Sequence, residues 1–183
     1  MNLIIFDFDN TLFPTNYLLN GNTISSHQVR MLHHMVNKLL NIARMYGQVV
    51  VITTSQTSWV PRINSSVSYN FTDIDIIAAE GPFKCSEDVF LWKSRAFKKY
   101  KNLFTRIISI GDSNAERQAL LSNIRNGVSV KLQENPDVHT LLQEIIILIE
   151  NFSQLFTENI SRDLFIELPK QASSGKSHTS GES

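Results

Sequence analysis

The sequence predicts an α/β domain with a central, mostly parallel sheet of about five strands. Short apolar runs of the kind that form buried parallel strands alternate along the chain with segments of helical periodicity. This alternation favours a parallel sheet with right-handed crossovers. Polar side chains follow several of the apolar runs directly, at the sheet edge where α/β domains bind ligands. The 183 residues are enough to bury one core.

Five apolar runs are the candidate strands, at residues 3–6, 49–52, 75–79, 107–110 and 128–130. The third is a weaker candidate than the others. The segment 164–166 is apolar as well, but its pattern does not decide between a strand and an extended arm. Residues 13–22 carry Pro, Gly and Asn, which predicts a loop or small hairpin above the end of the first strand.

Five helices are predicted between and after these strands. The first begins at a capping box from Ser25 to Gln28 and ends at Gly47. A short one begins near Thr57, because Pro61 suits only a first turn, and residues 64–70 then form a loop. The others begin at Ser86 or Glu87, at Asn114 (running to about Leu121), and after a cap at residues 135–136.

Composition narrows the class of protein. Seventeen basic residues balance seventeen acidic ones, so there is no clear nucleic-acid-binding patch. The first apolar run is too short for a signal peptide or a membrane span, which predicts no membrane association. Cys85 is the single cysteine, which suits a reducing compartment, and we expect a cytoplasmic location. Residues 1–168 are predicted to form the domain, and the Ser/Gly-rich residues 169–183 a disordered tail.

Two carboxylates, Asp7 and Asp9, flank a single phenylalanine at the end of the first strand. In an extended chain they would lie on the same side and repel each other. A divalent cation removes that repulsion, and Mg²⁺ is usually held by one or two carboxylates with water and phosphate. The alternative is structural: Asp7 caps the strand and Asp9 with Asn10 makes a turn.

Polar residues also follow the other strands or lie in the next helix, and in a parallel sheet they converge on one edge. The full set is Asp7, Asp9, Thr11, Thr53, Lys93, Asp112 and Glu116. Together they offer acids for a metal, a hydroxyl and an ammonium for an anion, and a nucleophile. Phosphoryl transfer needs these groups, because it depends on positioning and on charge neutralisation.

These residues resemble the motifs of the haloacid dehalogenase superfamily of phosphatases. Residues 7–11 look like its D-x-D-x-T motif, Thr53 its second motif, Lys93 its third, and residues 111–116 its G-D-x-x-x-D/E motif. The order and spacing hold over about residues 3–132. Further similarities to a mostly uncharacterised plant and protist branch are the pairs Trp59-Val60 and Trp92-Lys93 and the segment 111–117. The resemblance implies a Rossmann-like three-layer sandwich.

The resemblance also implies a role for each residue. Asp7 would attack phosphorus and form an aspartyl-phosphate, while Asp9 would protonate the leaving oxygen and then activate water. Mg²⁺ would be held by Asp7, the backbone carbonyl of Asp9, and Asp112, with Glu116 as a further metal residue. Thr11, Thr53, Thr54 and Lys93 would bind the phosphoryl group. Dehalogenases lack the second aspartate, so haloacid chemistry is not expected.

Three of these residues also have a structural interpretation that involves no catalysis. Thr53 could simply end a strand, and Lys93 could be a surface lysine with Lys84 as the third-motif residue instead. Ser113 to Glu116 also forms a capping-box pattern that needs no metal.

Too few residues separate the motifs for a substantial cap domain. The expected activity is therefore Mg²⁺-dependent phosphomonoester hydrolysis on a bulky or macromolecular substrate, or at a site that a protein partner completes. Two alternatives stay open. One is a non-catalytic binding module, which exposed aromatics around Phe13 and Trp59 would favour. The other is a phosphotransferase that passes the phosphoryl group to a second substrate.

Overall fold

Six strands form the central sheet of the computed structural model, which describes residues 1–56, 58–79 and 86–168. The strands are β1 (Asn2–Phe6), β2 (Gln48–Thr53), β3 (Asp75–Ala78), β4 (Arg106–Gly111), β5 (Gly127–Lys131) and β6 (Asp163–Phe165). Their order is β3-β2-β1-β4-β5-β6, and every pairing between them is parallel. The predicted α/β class with a Rossmann-like arrangement is confirmed, with six strands instead of about five.

Helices cover both faces of the sheet. They are α1 (Thr15–Leu19), α2 (Ser26–Tyr46), α3 (Trp59–Val67), α4 (Ser86–Lys98), α5 (Asn114–Asn123) and α6 (Val138–Asn151), which a 3₁₀ helix (Phe152–Phe156) continues. The alternating side chains of β1 divide the core. Ile4 and Phe6 pack with α2, α3 and α6, while Leu3 and Ile5 pack with α4 and α5. The result is three layers.

The position of β1 determines where polar residues meet. It lies between β2 and β4, and the strand order reverses beside it. In a doubly wound sheet this reversal opens a crevice at the carboxyl ends of the strands. The loops after β1, β2 and β4 therefore share one rim, and they carry most of the residues that the sequence singled out.

Several helix predictions are confirmed. The capping box at Ser25 forms in both directions with Gln28, and Gly47 ends α2. A side chain at Gly47 would collide with the backbone carbonyl of Asn2, so this position requires the close approach that glycine permits. Helix α3 is short, and Pro61 lies in its first turn.

Three local predictions are wrong. Residues 15–19 form the short helix α1 instead of a loop or hairpin, because Leu18 donates to the Pro14 carbonyl and Thr15 is buried against the domain. Helix α3 extends to Val67, so the loop predicted at 64–70 begins only after it. The N-cap of α6 is Asp137, whose carboxylate accepts from the amide of Thr140, and not residues 135–136.

Between motif two and Lys93 the described residues add α3 and β3, and both belong to the main fold, since β3 pairs with β2 and α3 packs on α2. The predictions for Thr57, Lys84 and the 169–183 tail lie outside the described residues. In the part of the chain that is described, no helix combines the length and apolarity needed to cross a membrane.

Candidate active site

A tight turn follows β1 and gives the two aspartates of the first motif different surroundings. Asp7 still belongs to the sheet, since its amide donates to the Ile110 carbonyl at 2.9 Å. The chain then folds back on itself, with the amides of Leu12 and Phe13 both donating to the Phe8 carbonyl. Asn10 adopts a left-handed conformation with φ of 57°, which asparagine tolerates better than most residues. Asp7 and Asp9 consequently meet different partners.

Asp7 is buried and held through one of its two oxygens. Its Oδ1 accepts from the Nζ of Lys93 at 2.9 Å and from the amide of Phe8 at 2.9 Å. Among the described residues no group donates to Oδ2. Burial raises the pKa of Asp7 while Lys93 lowers it and the charge of Asp9 raises it further, so the net direction is upward.

Lys93 is buried beneath the site and is not a surface lysine. Its Nζ also donates to the Ile52 carbonyl, at the end of β2, and to Oε1 of Glu116 at 3.4 Å. Burial lowers the pKa of Lys93, but the charges of Asp7 and Glu116 outweigh burial and raise it. The Lys93 ammonium therefore connects Asp7 after β1 and Ile52 in β2 to Glu116 of helix α5 through hydrogen bonds.

Asp112 follows β4 on the same rim as Asp7. Its Oδ2 accepts from Nδ2 of Asn10 at 3.3 Å, and the Oδ1 of Asn10 accepts from the amide of Asn16 at 3.0 Å. Burial raises the pKa of Asp112 to about 7, and the nearby charge of Asp7 contributes in the same direction. Asp7 and Asp112, which were predicted to share a metal ion, thus lie close enough for the charge of Asp7 to raise the pKa of Asp112.

Glu116 points inward from α5 and does not form the predicted capping box. Ser113 caps this helix through the amide of Ala115, while Oε1 of Glu116 accepts from Lys93 and from the Ser109 hydroxyl at 3.2 Å. Its Oε2 is buried without a partner in the described structure. Burial raises the pKa of Glu116 to about 8, against the opposing charge of Lys93. The capping interpretation of Glu116 is wrong.

Asp9 is half-buried and has both oxygens occupied. Oδ1 accepts from the hydroxyl of Thr15 at 2.5 Å and from the indole Nε1 of Trp59 at 2.8 Å. Oδ2 accepts from the hydroxyls of Thr53 at 3.0 Å and Ser55 at 2.6 Å. A carboxylate has about four lone-pair sites, so these donors fill all of them. Thr53 binds Asp9 and also accepts from the amide of Ser55.

The remaining predicted residues lie on the same rim with fewer contacts. The hydroxyl of Thr11 is buried and has no partner in the described structure, so it is a donor without an acceptor. Thr54 is half-buried directly after Thr53. Lys84, the alternative to Lys93, lies outside the described residues.

Four residues that contact the aspartates were missed by sequence reasoning: Asn10, Thr15, Ser55 and Trp59. The signal for Asn10 was present, since an Asp-Asn pair favours a turn and asparagine tolerates the left-handed conformation. The other three donors lie on two segments, Thr15 at the start of α1 and Ser55 with Trp59 on the stretch from the end of β2 to the first residue of α3, and nothing in their spacing links them to Asp9. Aromatic exposure was also misjudged. Phe13 is buried and stacked on Phe8, and Trp59 is half-buried with its N–H engaged.

The cluster around Lys93 holds more negative than positive groups. Asp7, Asp112 and Glu116 face the Lys93 ammonium, and the charge of Lys131 also acts on Asp112, yet burial leaves the pKa of each of the three carboxyls raised. Across residues 1–56, 58–79 and 86–168 no group of three or more His, Cys, Asp and Glu side chains has the arrangement of a metal site. Two carboxylates and a backbone carbonyl are hard oxygen donors of the kind Mg²⁺ prefers, and Mg²⁺ commonly keeps several waters.

The arrangement thus combines a buried nucleophile candidate, an ammonium, a second acid and a proton-transfer candidate at one rim. Comparison with models of known families finds no match to this chain, and a search of curated proteins finds none either.

Proposed function

We propose that this chain is a Mg²⁺-dependent phosphomonoester hydrolase of the haloacid dehalogenase superfamily. The observation that carries the proposal is the state of Asp7. One oxygen of its carboxylate is fixed by Lys93 and by the Phe8 amide, and the other accepts no hydrogen bond from the described residues. A nucleophile that is oriented through one atom and unoccupied at the other suits in-line attack on phosphorus.

In the first step Oδ2 of Asp7 attacks phosphorus and forms a new O–P bond. The bond from phosphorus to the ester oxygen breaks, its electron pair moves to that oxygen, and Asp9 supplies the proton that makes it an alcohol. In the second step Asp9 takes a proton from water as the water oxygen attacks the same phosphorus. The Asp7–phosphorus bond breaks, which releases inorganic phosphate and restores the Asp7 carboxylate, while Asp9 returns to the protonated form in which it began.

Lys93 and the hydroxyls on the rim have supporting roles in this scheme. The Lys93 ammonium offsets charge on the phosphoryl oxygens and holds Asp7 in place. Thr53 can turn its hydroxyl from Asp9 to a phosphoryl oxygen, and the unpartnered hydroxyl of Thr11 is available as a donor. Thr54 follows on the same loop.

The residues present fit a magnesium ion. The ligands would be Asp7, Asp112 and the carbonyl of Asp9, with Glu116 adjoining them through Lys93, and the excess of buried carboxylates around Lys93 supports a cation there. When bound, Mg²⁺ would neutralise charge on the transferring phosphoryl group.

Replacement of the nucleophile tests the proposal. With Mg²⁺ present, Asp7→Asn is expected to lower kcat for an aryl phosphate by a factor on the order of 10³ or more. Asp75→Asn, at the start of β3 on the opposite rim, serves as the matched control and should keep the wild-type rate. Equal rates for wild type and Asp7→Asn would reject hydrolysis through Asp7.

A binding measurement separates the enzyme from a non-catalytic module. Mg²⁺ with beryllium fluoride mimics a phosphoryl-aspartate, so it should raise the Tm of the wild type and leave that of Asp7→Asn unchanged. Product analysis with and without an added alcohol acceptor then distinguishes hydrolysis from phosphoryl transfer to a second substrate.

A further inference from the structure

A cavity of about 220 Å³ opens to solvent beside Asp9. Its walls are Thr15, Leu19, Ser55, Gln56 and Trp59, here called the Trp59 cavity. Three of these residues, Thr15, Ser55 and Trp59, are the same ones that donate hydrogen bonds to the Asp9 carboxylate. A molecule in the Trp59 cavity therefore contacts the groups that hold Asp9.

The hydrogen bonds of Asp9 place the Trp59 cavity against both of its carboxylate oxygens. Oδ1 accepts from Trp59 and Thr15, and Oδ2 accepts from Ser55 and Thr53. Thr53 is buried at the end of β2, whereas the hydroxyls of Thr15 and Ser55 belong to cavity walls. Each oxygen of Asp9 therefore has one hydroxyl partner on the cavity side, and a hydroxyl can both donate and accept.

The side of Asp9 that faces the Trp59 cavity locates the alcohol portion of the substrate. This step rests on the proposed function, in which Asp9 gives its proton to the leaving oxygen. That oxygen must lie within hydrogen-bond reach of Asp9 or of a hydroxyl bound to it. The space next to Ser55 is the Trp59 cavity, so the leaving group enters there while its phosphate lies over Asp7.

The chemistry of the walls selects an uncharged leaving group. The five wall residues carry two hydroxyls, an amide, an indole and a leucine, and none of the five is ionisable. A cationic group would find the Asp9 oxygens already occupied, and an anionic group would find no cation among the five wall residues. Hydroxyl and amide groups next to an aromatic ring suit a hydroxylated ring, which has both polar edges and C–H faces.

The size of the Trp59 cavity matches a single ring. Ligand pockets commonly measure about 300–1,000 Å³, so the walled space of about 220 Å³ encloses one ring, and any larger part of a ligand lies in solvent. We infer that the Trp59 cavity is a leaving-group subsite that selects phosphate esters of neutral hydroxylated rings, such as sugars and cyclitols. Trp59 and Leu19 are its specificity-determining walls.

Substrate ratios test this inference without depending on the absolute rate. With Mg²⁺ present, kcat/KM is measured for myo-inositol monophosphate and a hexose 1-phosphate, against ethyl phosphate and phosphoserine. The ring esters should exceed both others at least tenfold. Leu19→Trp fills the cavity and should reduce the ring-to-ethyl ratio at least tenfold. Leu103→Trp is the matched control, since Leu103 is equally exposed at 68% and precedes β4 on the opposite rim, and it should leave the ratio unchanged.

A second pair of variants separates the two roles of Trp59. Trp59→Phe removes the N–H and keeps a ring, whereas Trp59→Leu removes both. Each should lower kcat for every ester, but only Trp59→Leu should reduce the ring-to-ethyl ratio.

Three outcomes would overturn the inference. The first is a wild-type ring-to-ethyl ratio near one. The second is a ring-to-ethyl ratio that Leu19→Trp leaves unchanged while Asp7-dependent hydrolysis persists. In both cases the proposed function survives. Absence of Asp7-dependent hydrolysis for every ester rejects the proposed function and the subsite together.

Discussion

Gly111 allows the buried acid of α5 to reach Lys93. A side chain at this position would overlap Oε2 of Glu116 and would come within 3.3 Å of Cβ of Asp7. The glycine is therefore required for space, because its backbone is ordinary extended strand. Its absent side chain leaves room for the only described acid that pairs with Lys93 besides Asp7.

Filling this space should destabilise the protein through Glu116 in particular. Gly111→Ala is expected to lower the free energy of unfolding by about 1–3 kcal/mol, as overpacking does. In the double variant with Glu116→Ala the clash is gone, so the combined loss should fall short of the sum of the single losses by at least about 1 kcal/mol. Urea unfolding of the four proteins measures this coupling, and strictly additive losses would contradict it.

Sequence motifs identified most residues of the rim but not their partners. Residues 7, 9 and 112 could be predicted because strand ends of a parallel sheet share one edge, whereas Lys93, within α4, was identified by its resemblance to the third motif. That Asp9 binds Trp59 could not, because the contact depends on the turn at Asn10 and on the angle at which α3 leaves β2. The location of Glu116 was left open because a capping box and an inward carboxylate have the same spacing in sequence.

Among the secondary-structure elements, β6 depends on side chains more than on strand pairing. Only three residues pair with β5. Arg117 of α5 holds Asp163 with two hydrogen bonds and lies 5.1 Å from the centre of the Phe165 ring. Arg162 donates to the carbonyls of Gly127 and Ile124. Two arginines thus attach a strand that is too short to be stable by its own hydrogen bonds.

Breaking the Arg117–Asp163 pair should loosen β6 without unfolding the domain. Because both side chains are about a quarter to a third exposed, Asp163→Asn should cost about 1 kcal/mol or less of global stability. Hydrogen exchange of the Ile166 amide, which donates to the backbone carbonyl of Lys131, should nevertheless accelerate at least tenfold. The Phe6 amide of β1 serves as the internal reference, and equal acceleration at both amides would contradict a local effect.

Element predictions failed where tertiary contacts override weak local signals. Helix α1 has five residues and β6 has three, and segments of this length carry too little periodicity to be distinguished from loops. The long amphipathic α2, with its capping box, was predicted correctly at both ends because its signals are local.

At the scale of the whole molecule, the burial of acidic side chains makes stability depend on pH near neutrality. The pKa values of Asp7, Asp112, Glu116 and Glu144 are all raised by burial, those of Asp112 and Glu144 to about 7 and that of Glu116 to about 8. Between the unfolded and folded pKa the unfolded chain has lost its proton and the folded chain keeps it. Stability therefore falls as pH rises through this interval.

The urea midpoint of the metal-free protein should accordingly decrease from pH 5 to pH 8. Glu144 offers a test outside the cluster of Asp7, Lys93 and Glu116: it is fully buried, Oε1 accepts from the Gln133 amide at 2.7 Å, and Oε2 has no partner in the described structure. Glu144→Gln should recover stability on the order of 2 kcal/mol at pH 8 and flatten the dependence between pH 4.5 and 7. A variant with the wild-type slope would exclude Glu144 as a source.

Magnesium should oppose this loss if the proposed site is correct. At pH 8 a concentration one hundred times Kd adds about 2.7 kcal/mol to stability, which thermal unfolding detects as a higher Tm that a chelator reverses. The gain should be smaller at pH 5, because ligand carboxyls must be deprotonated. Asp112→Asn should remove it. An equal gain in Asp112→Asn would show that the cation binds elsewhere.

The short last strand also bears on self-association. Among the described residues it is the one strand that pairs with the outer edge of β5, and unpaired strand edges can pair with strands of neighbouring molecules. A chain cut after Ser161 would present Ser129 and Lys131 unpaired next to apolar Val130. Such a shortened protein should accumulate as oligomers in a concentration-dependent manner, whereas the intact chain carries its own edge protection.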